Sequence, residues 1–445
     1  MRLLWLLWLY AAVSPEQAAL ERISAESMRG NLSFLASDAL EGRATPSRGL
    51  DIAAEFIASR FRAAGLEPIA GSYFQDASFV NVNQSMKGFR LRVAADGGEL
   101  ELPAGDVNVR SLKAIDVDNV PVVEFAGDDI QGKVVAGESA ALARLRESRP
   151  ALILLIHGAG RGGELSWQSD VAETEIPVID IFSEGVEEAL REKREMTISL
   201  HVEAPEVRQT KLENVLGLLR GSDETLRNEY VVVSAHYDHL GVQNGLVYDG
   251  ANDNGSGVVS VIEMARALAR METHPKRSIV FAAFFGEEEG LFGSRYFVRH
   301  PPFPLKQTVA NINLEQMGRT DEADGAEVGA YAFTGPSFSN LPSLMAAAAR
   351  TQGVKIYNKR GANGFFDRSD NYPFAEAGVV AHTVVVAFEY PDYHAPGDKW
   401  EKIDYANMAK VDRAVAAGVV RIADAAERPK WSEIRETEAW RRPAR

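Results

Sequence analysis

The chain has 445 residues, 46% of them hydrophobic, and a formal net charge of −15. That length suits two domains with a sizeable core, and the acidity argues against nucleic acid and anionic membrane surfaces as partners. There is no cysteine, which excludes disulfides, acylation at cysteine, thiol catalysis and thiolate metal sites. Any bound metal must be held by His, Asp and Glu.

Residues 1–19 read as an export signal. Arg2 gives a short basic start, Leu3 to Val13 form an apolar stretch, and small residues follow. The stretch is too short to span a bilayer comfortably; an uncleaved anchor or a buried helix is the alternative reading. The expectation is an exported protein, periplasmic or extracellular. No later segment has 18 uninterrupted apolar residues, so no stable membrane span is expected in the mature chain. Oligomeric state is not legible.

The stretches 25–36 and 47–65 carry helical periodicity, the second through Ile52, Phe56, Ile57, Phe61 and Ala64, with Gly65 as a stop. Residues 20–87 therefore read as the first part of a domain. Between Gly88 and Pro205 the character changes to short runs rich in Val, Ile and Leu (PVVEFAG, KVVAG, ALILLIHG, IPVIDI, MTISLHV), separated by Gly, Asp and Pro. These predict strands with a helix or two between them. His157 and His201 stand alone there, so 88–205 is expected to be an inserted, non-catalytic module.

The core, 206–428, alternates strand and helix. YVVVSA ends at His236, and Val258, Val261, Ile262, Ala265, Leu268 and Ala269 form a helix stripe. SIVFAAFF runs to Glu287 and VANINL to Glu315. A helix over 341–351, the strand VAHTVVVAF and an amphipathic helix over 405–426 follow. The alternation predicts an α/β fold with a mostly parallel sheet flanked by helices on both faces. In such sheets ligands gather at the carboxyl ends of the strands. The tail 429–445 is charged and expected to be loosely ordered.

His236, Glu287, Glu288 and Glu315 all lie at such ends. His236 begins His-Tyr-Asp-His, where Asp238 suits a carboxylate that orients a metal-bound histidine; His239 competes as ligand. Asp253 lies in the loop DGANDNGSG before a helix. The loop also reads as a turn with Asn254 or Ser256 as N-cap, and a carboxylate in it can bridge two metals. Glu287-Glu288-Glu289 follows a run as apolar as VFAAFF. A solvated charge run is the plain alternative, but acids crowded near a dry sheet edge repel one another, and a dication removes that penalty. Of two adjacent acids, one can hold a metal while the other takes a proton from water. With His394 in the turn-rich PDYHAPGDKW, the set supplies enough ligands for a pair of zinc ions and points to a hydrolase.

SAHYDHLG, GANDNGSG, FFGEEEGLFGS, INLEQMGR, RSDNYPFAEAG and YHAPGDKWEKID occur in order. Together they resemble the zinc aminopeptidase and glutamate-carboxypeptidase family (metallopeptidase family twenty-eight) over 214–426, and more loosely over 25–82. The resemblance implies that His236 and Glu315 hold one zinc, Glu288 and His394 the other, and that Asp253 bridges them. It implies Glu287 as general base, Asp238 as the residue orienting His236, and Tyr393 as an oxyanion stabiliser. The inserted module resembles a protease-associated domain. Two departures stand out: Glu315 occupies a position where many members have Asp, and Asn371 one where His is frequent.

The implied activity is exopeptidase action on a peptide with a free N-terminus. Carboxypeptidase or dipeptidase action, glutaminyl cyclisation and an inactive receptor-like relative are the alternatives. Arg360 and Arg368 are candidates for a carboxylate clamp, or are plain surface arginines. Phe365 and Phe366 are candidates for an apolar pocket for the first side chain.

Overall fold

The computed structural model describes residues 14–442 except 96–97, 126–129, 139–140, 159, 164, 171–175 and 322–327. The apolar stretch Leu3 to Val13 lies outside the described residues. No helix among those described is long and apolar enough to cross a membrane. The chain packs as two compact units, residues 1–76 with 213–445, and residues 77–212.

The first unit is built on a twisted sheet whose four central strands, Ala381–Val385, Thr308–Glu315, Tyr230–His236 and Ser278–Phe284, are mutually parallel. They are buried almost throughout, as strands covered on both faces are, and their polar residues, such as Ser234 and Asn313, hydrogen-bond to one another. Antiparallel partners lie on either side of the four: Ala330–Phe333 beside Ala381–Val385, and Glu206–Leu219 beside Ser278–Phe284. This is the α/β architecture expected from the alternation.

Period two sorts the strand side chains onto two faces. Val232, Val280, Ala282, Phe284 and Ala381 meet Phe297 and Phe374, from helices Phe292–Arg299 and Asn371–Glu376. Val231, Val233, Ile279 and Phe281 take the opposite face, toward helices Gly257–Leu268 and Tyr405–Asp424. The expected helices 25–36 and 47–65 form as Ala25–Leu35 and Arg48–Ala64. Ser47 caps the second by accepting the Leu50 N–H, and Gly65 closes it in the left-handed conformation.

The second unit holds an eight-stranded sheet of mixed direction. Its strands Val134–Gly137, Leu152–His157 and Val178–Phe182 are parallel neighbours. The strands Arg90–Ala95, Gly98–Leu102 and Val107–Arg110 were not legible, because polar residues dominate their exposed positions. His157 meets Asp180 at 3.1 Å and His201 meets Asp116 at 3.6 Å, and neither joins a metal-ligand group among the described residues.

The tail departs from expectation. Residues 428–442 dock on the first unit. Trp431 bridges Ser339, Ser432 N–H donates to the Phe338 carbonyl at 2.7 Å, and Trp431, Ile434 and Trp440 pack against Phe338, Phe366 and Ala375. The charges face water while the aromatic rings supply the buried area.

Asp412, on helix Tyr405–Asp424, is fully buried with both carboxylate oxygens unpartnered. Burial, aided by nearby Glu263, pushes it up to about 8. An acid raised in the folded state contributes stability below its unfolded value of 3.8 and loses it as pH rises toward about 8. Asp412→Asn is therefore expected to unfold several degrees above the parent at pH 8, with little difference at pH 4. Thermal unfolding by circular dichroism at the two pH values measures it, and equal shifts at both would contradict it.

Candidate metal centre

Two strand ends and three loops converge on one edge of the sheet. His236 and Glu315 are the last residues of neighbouring parallel strands. The strand Ser278–Phe284 stops before Glu287, and Gly286 at φ +65° turns the chain so that Glu287 and Glu288 follow a bend. Asp253 and His394 arrive from loops.

His236 is fully buried. Its Nε2 lies 3.4 Å from Asp253 Oδ1 and 3.9 Å from Glu287 Oε2. Its Nδ1 lies 3.3 Å from the Asp238 carbonyl and 3.5 Å from Asp238 Oδ1, which also accepts the Glu287 N–H at 3.1 Å. One carboxylate thus ties the imidazole to the backbone of Glu287. Asp253 presents its second oxygen, Oδ2, to His394 Nε2 at 3.0 Å. That nitrogen is 3.3 Å from Glu288 Oε2, while Glu288 Oε1 is 2.8 Å from His239 Nδ1. Two groups result whose ligand atoms fall within 4.8 Å of one another: His236, Glu287 and Glu315, and His239, Asp253 and Glu288. His236, Asp253, Glu287, Glu288, Glu315 and His394 are therefore brought together, and the competing His239 is among them.

The electrostatics are those of acids held too close. Burial pushes Glu287 well above the usual carboxylate range; His236 opposes this, while Glu315 and Glu288 add repulsion. Glu315 is pushed up to about 7 and Asp370 up to about 6, both by burial against the pull of His236. Burial also acts on Asp253, but the histidines facing its two oxygens outweigh it and hold the carboxyl well below the usual range. The buried Nε2 atoms of His236 and His239 and the Oδ2 of Asp238 have no hydrogen-bond partner. A cation among these groups would give the orphaned nitrogens a partner and offset the repulsion between the acids. The donor set, imidazole nitrogen and carboxylate oxygen without sulfur, fits zinc.

The loops that deliver these groups are pinned from beneath. Asp398 accepts the N–H groups of Asn252 and Asp253 at 3.0 Å and the Tyr390 hydroxyl at 3.0 Å. Asn254, rather than Ser256, caps the following helix: its Oδ1 accepts the Gly257 N–H at 3.0 Å, and its Nδ2 donates to the Leu314 carbonyl at 2.9 Å. At Gly250, φ +56°, a Cβ would sit 2.4 Å from the His239 ring. The His394 loop is braced through Asp392, which accepts from Arg319 at 2.8 Å and Lys402 at 2.9 Å.

Arg43 was not legible as part of the site. Its side chain is buried and donates to the carbonyls of Tyr237 at 2.8 Å, Asp249 at 2.7 Å, Gly250 at 3.0 Å and Leu35. It joins the His236 loop to the Asp253 loop. Nothing in LEGRATPS signals this, because its partners are carbonyls, which every residue carries. Asp398 and Asp370 did lie inside motifs already singled out. Asp370 is fully buried and accepts from Ser294. Asn371 holds the local backbone, donating to the Phe366 carbonyl at 2.9 Å and accepting from Thr383 Oγ1 at 2.7 Å.

The cluster opens into a cavity of about 540 Å³. Its other wall carries Phe365, Arg368, Val385 and Phe388. Phe366 instead turns into the core at 2% exposure. Arg360 is exposed and does not line the cavity. Tyr393 lies at the mouth, 45% exposed, stacked on the His394 ring at 4.0 Å.

Arg43→Ala would leave its carbonyl partners unpaired. Each buried, unsatisfied polar group costs about 1–3 kcal/mol, so a loss on the order of 4 kcal/mol or more is expected. Urea titration of the variant against the parent checks this, and a change under about 1 kcal/mol would refute the clamp.

Residues 214–419 match the model of peptidase family M28. Aminopeptidase YwaD of Bacillus subtilis (strain 168) is 30% identical over 261 residues, 57% of this chain and 53% of that protein. A probable zinc metalloprotease of Pyrenophora teres f. teres is 34% identical over 160 residues, 34% of this chain and 31% of that protein. The chain thus spans about half the length, or less, of these curated relatives. Among solved structures, an aminopeptidase from Aneurinibacillus sp. strain AM-1 is similar at a TM-score of 0.52 and 21% identity, covering 91% of this chain and 95% of that one. BSAP, a zinc aminopeptidase from Bacillus subtilis, is similar at 0.50 and 21%, covering 89% and 94%. The two structures share the fold with this chain, and its residues 214–419 form a domain that matches peptidase family M28.

Proposed function

We propose that the chain is an exported two-zinc exopeptidase that releases N-terminal residues from peptides. One observation carries the two-metal reading: the oxygens of Asp253 diverge, Oδ1 toward His236 and Oδ2 toward His394, as a bridging carboxylate requires. His236, Asp253 and Glu315 would hold one ion, and Asp253, Glu288 and His394 the other. Bound zinc would polarise a scissile carbonyl and make water a stronger acid.

The chain's own groups do the rest. Asp238 fixes the His236 ring through Nδ1, leaving Nε2 directed at the cluster. Glu287 faces the cavity and is left as the base: it takes a proton from water as the water oxygen attacks the carbonyl carbon, and passes it to the amine as the carbon–nitrogen bond breaks. Tyr393, which lines the cavity, would donate to the developing oxyanion. Phe365, Val385 and Phe388 offer an apolar surface for the first side chain. Export rests on the basic and apolar start of the sequence, and the second unit is read as a protease-associated module.

A carboxypeptidase is the second reading, because Arg368 lines the cavity where a substrate carboxylate would reach it. Peptides blocked at one end or the other separate the two: an aminopeptidase spares the acetylated N-terminus and cleaves the C-terminal amide.

Glu287→Gln is nearly isosteric and leaves the five ligands intact. Rate is expected to fall on the order of a hundredfold or more with zinc content unchanged. Glu288→Gln should instead lose zinc together with activity. Elemental analysis alongside steady-state kinetics reads both, and zinc lost from Glu287→Gln but kept by Glu288→Gln would reverse the assignments.

His239 and His394 both reach Glu288. His394→Ala is expected to lose close to one zinc per chain, whereas His239→Ala should keep the full complement. The opposite pattern in elemental analysis would move the ligand to His239.

A further inference from the structure

The cavity wall opposite the acid cluster has a back as well as a front. The short turn Ala362–Phe365 and the residues after it place Phe365 and Arg368 on the cavity side, with the Arg368 guanidinium 5.0 Å from the centre of the Phe365 ring. Phe365 also packs against Phe388, ring centres 5.1 Å apart. The next residue, Phe366, points the other way. Its ring stacks on Trp440 at 4.8 Å and an interplanar angle of 29°, with Phe338 edge-on at 4.9 Å and Trp431 at 6.3 Å. Trp431 and Trp440 themselves meet at 5.3 Å.

Other groups restrain the wall as well: Asn371 Nδ2 donates to the Phe366 carbonyl at 2.9 Å, and Phe365 packs with Tyr357 against Ala332, Ala362, Val385 and Phe388. Gly335 N–H donates to the Ala362 carbonyl at 3.1 Å, and Asn363 Nδ2 donates to Ser337 Oγ at 3.2 Å. Gly335 lies so close beneath the rings that a Cβ there would sit 2.5 Å from both Phe338 and Phe366. The tail adds its rings to these restraints, and its segment 430–432 is tied to Phe338 and Asn340 by hydrogen bonds. Offset-stacked and edge-on aromatic pairs add a modest stabilisation beyond their buried area. That is enough to hold one loop conformation over another, but small against the stability of the sheet.

We infer that Trp440 is a specificity-positioning residue: by stacking on Phe366 it sets where Phe365 stands, and so sets the depth of the subsite for a bulky apolar first side chain. The inference rests on the exopeptidase reading and deepens it. Trp440 does not line the cavity and belongs to neither metal-ligand group. Its loss should therefore leave the chemical step and the metal in place. A short side chain does not reach the wall, whereas a leucyl or phenylalanyl side chain spends its binding energy there.

The test uses the full chain, zinc-loaded, as parent, Trp440→Ala and Trp440→Phe. Three readouts are taken: steady-state kinetics on alanyl, leucyl and phenylalanyl anilides, zinc content, and hydrogen exchange of residues 361–369. For Trp440→Ala, KM for the leucyl and phenylalanyl substrates should rise about fivefold or more. The alanyl KM, every kcat and the zinc content should stay within about twofold of the parent. Exchange at 361–369 should quicken, and Trp440→Phe should restore both selectivity and protection. Equal changes for all three substrates, or no change in any, would overturn the positioning role while leaving the exopeptidase reading standing. A parent that cleaves none of the three but releases C-terminal residues would overturn the assignment to N-terminal cleavage, and this inference with it. If Trp440→Ala does not fold, Trp440→Leu is put through the same comparison and decides by the same outcomes.

Discussion

Crowded acids in a dry place are the constraint on which the rest of the structure depends. Asp253, Glu287, Glu288, Glu315 and Asp370 lie near one another at the carboxyl edge of a sheet buried on both faces. Left to themselves, such groups avoid the penalty by taking up protons, and the upward displacement of Glu287, Glu315 and Asp370 is that response. Asp253 escapes it because imidazole faces each of its oxygens. The cluster is thus arranged to favour positive charge among its acids. Three buried polar atoms beside it, one on each of His236, His239 and Asp238, are left without a hydrogen bond.

Holding that arrangement costs backbone freedom, and the fold meets the cost with buried polar groups rather than with apolar packing. Arg43 gathers the carbonyls of two separate loops, and Asp398 gathers two amides of one of them. Both are charged and nearly inaccessible. Burial pulls the Arg43 guanidinium downward, and Asp249, Asp238 and Asp398 oppose that pull. A buried cation satisfied by carbonyls on one side and attracted by carboxylates on the other tolerates the interior well. The same group is therefore both a strut and a counter-charge to the acids above it.

What could be read from the sequence follows from where this chemistry leaves a local trace. His236, Glu287, Glu288 and Glu315 were legible because each comes at or just beyond the end of an apolar run. Asp253 and His394 were legible because Gly, Asn and Pro cluster around them. The parallel sheet was legible for a related reason: strands buried on both faces cannot hide their composition. Arg43 left no trace, since carbonyl partners belong to every residue. The strands Arg90–Ala95 and Gly98–Leu102 were missed because their exposed positions are polar. The tail was misread because its charges outnumber Trp431, Ile434 and Trp440, although those three decide where it lies. Phe365 and Phe366 looked equivalent in sequence, and only the turn at Ala362–Phe365 separates them into cavity and core.

That separation suggests how the unit divides its labour. The acids and histidines hang from strand ends and from loops pinned by buried charge, an arrangement that resists small displacements because any shift breaks a hydrogen bond in a low-dielectric interior. The facing wall leans on stacked rings as well as on a few hydrogen bonds, and at the rings a displacement of a few tenths of an ångström changes many weak contacts slightly. A hydrolytic centre needs the first kind of support, since its geometry must be held within a fraction of an ångström. A side-chain subsite can be built on the second. Substitutions at Trp431 and Trp440 can then reshape the cavity with little effect on the acid cluster, because their ring partners are Phe338, Phe366, Tyr372 and His382 rather than the acids.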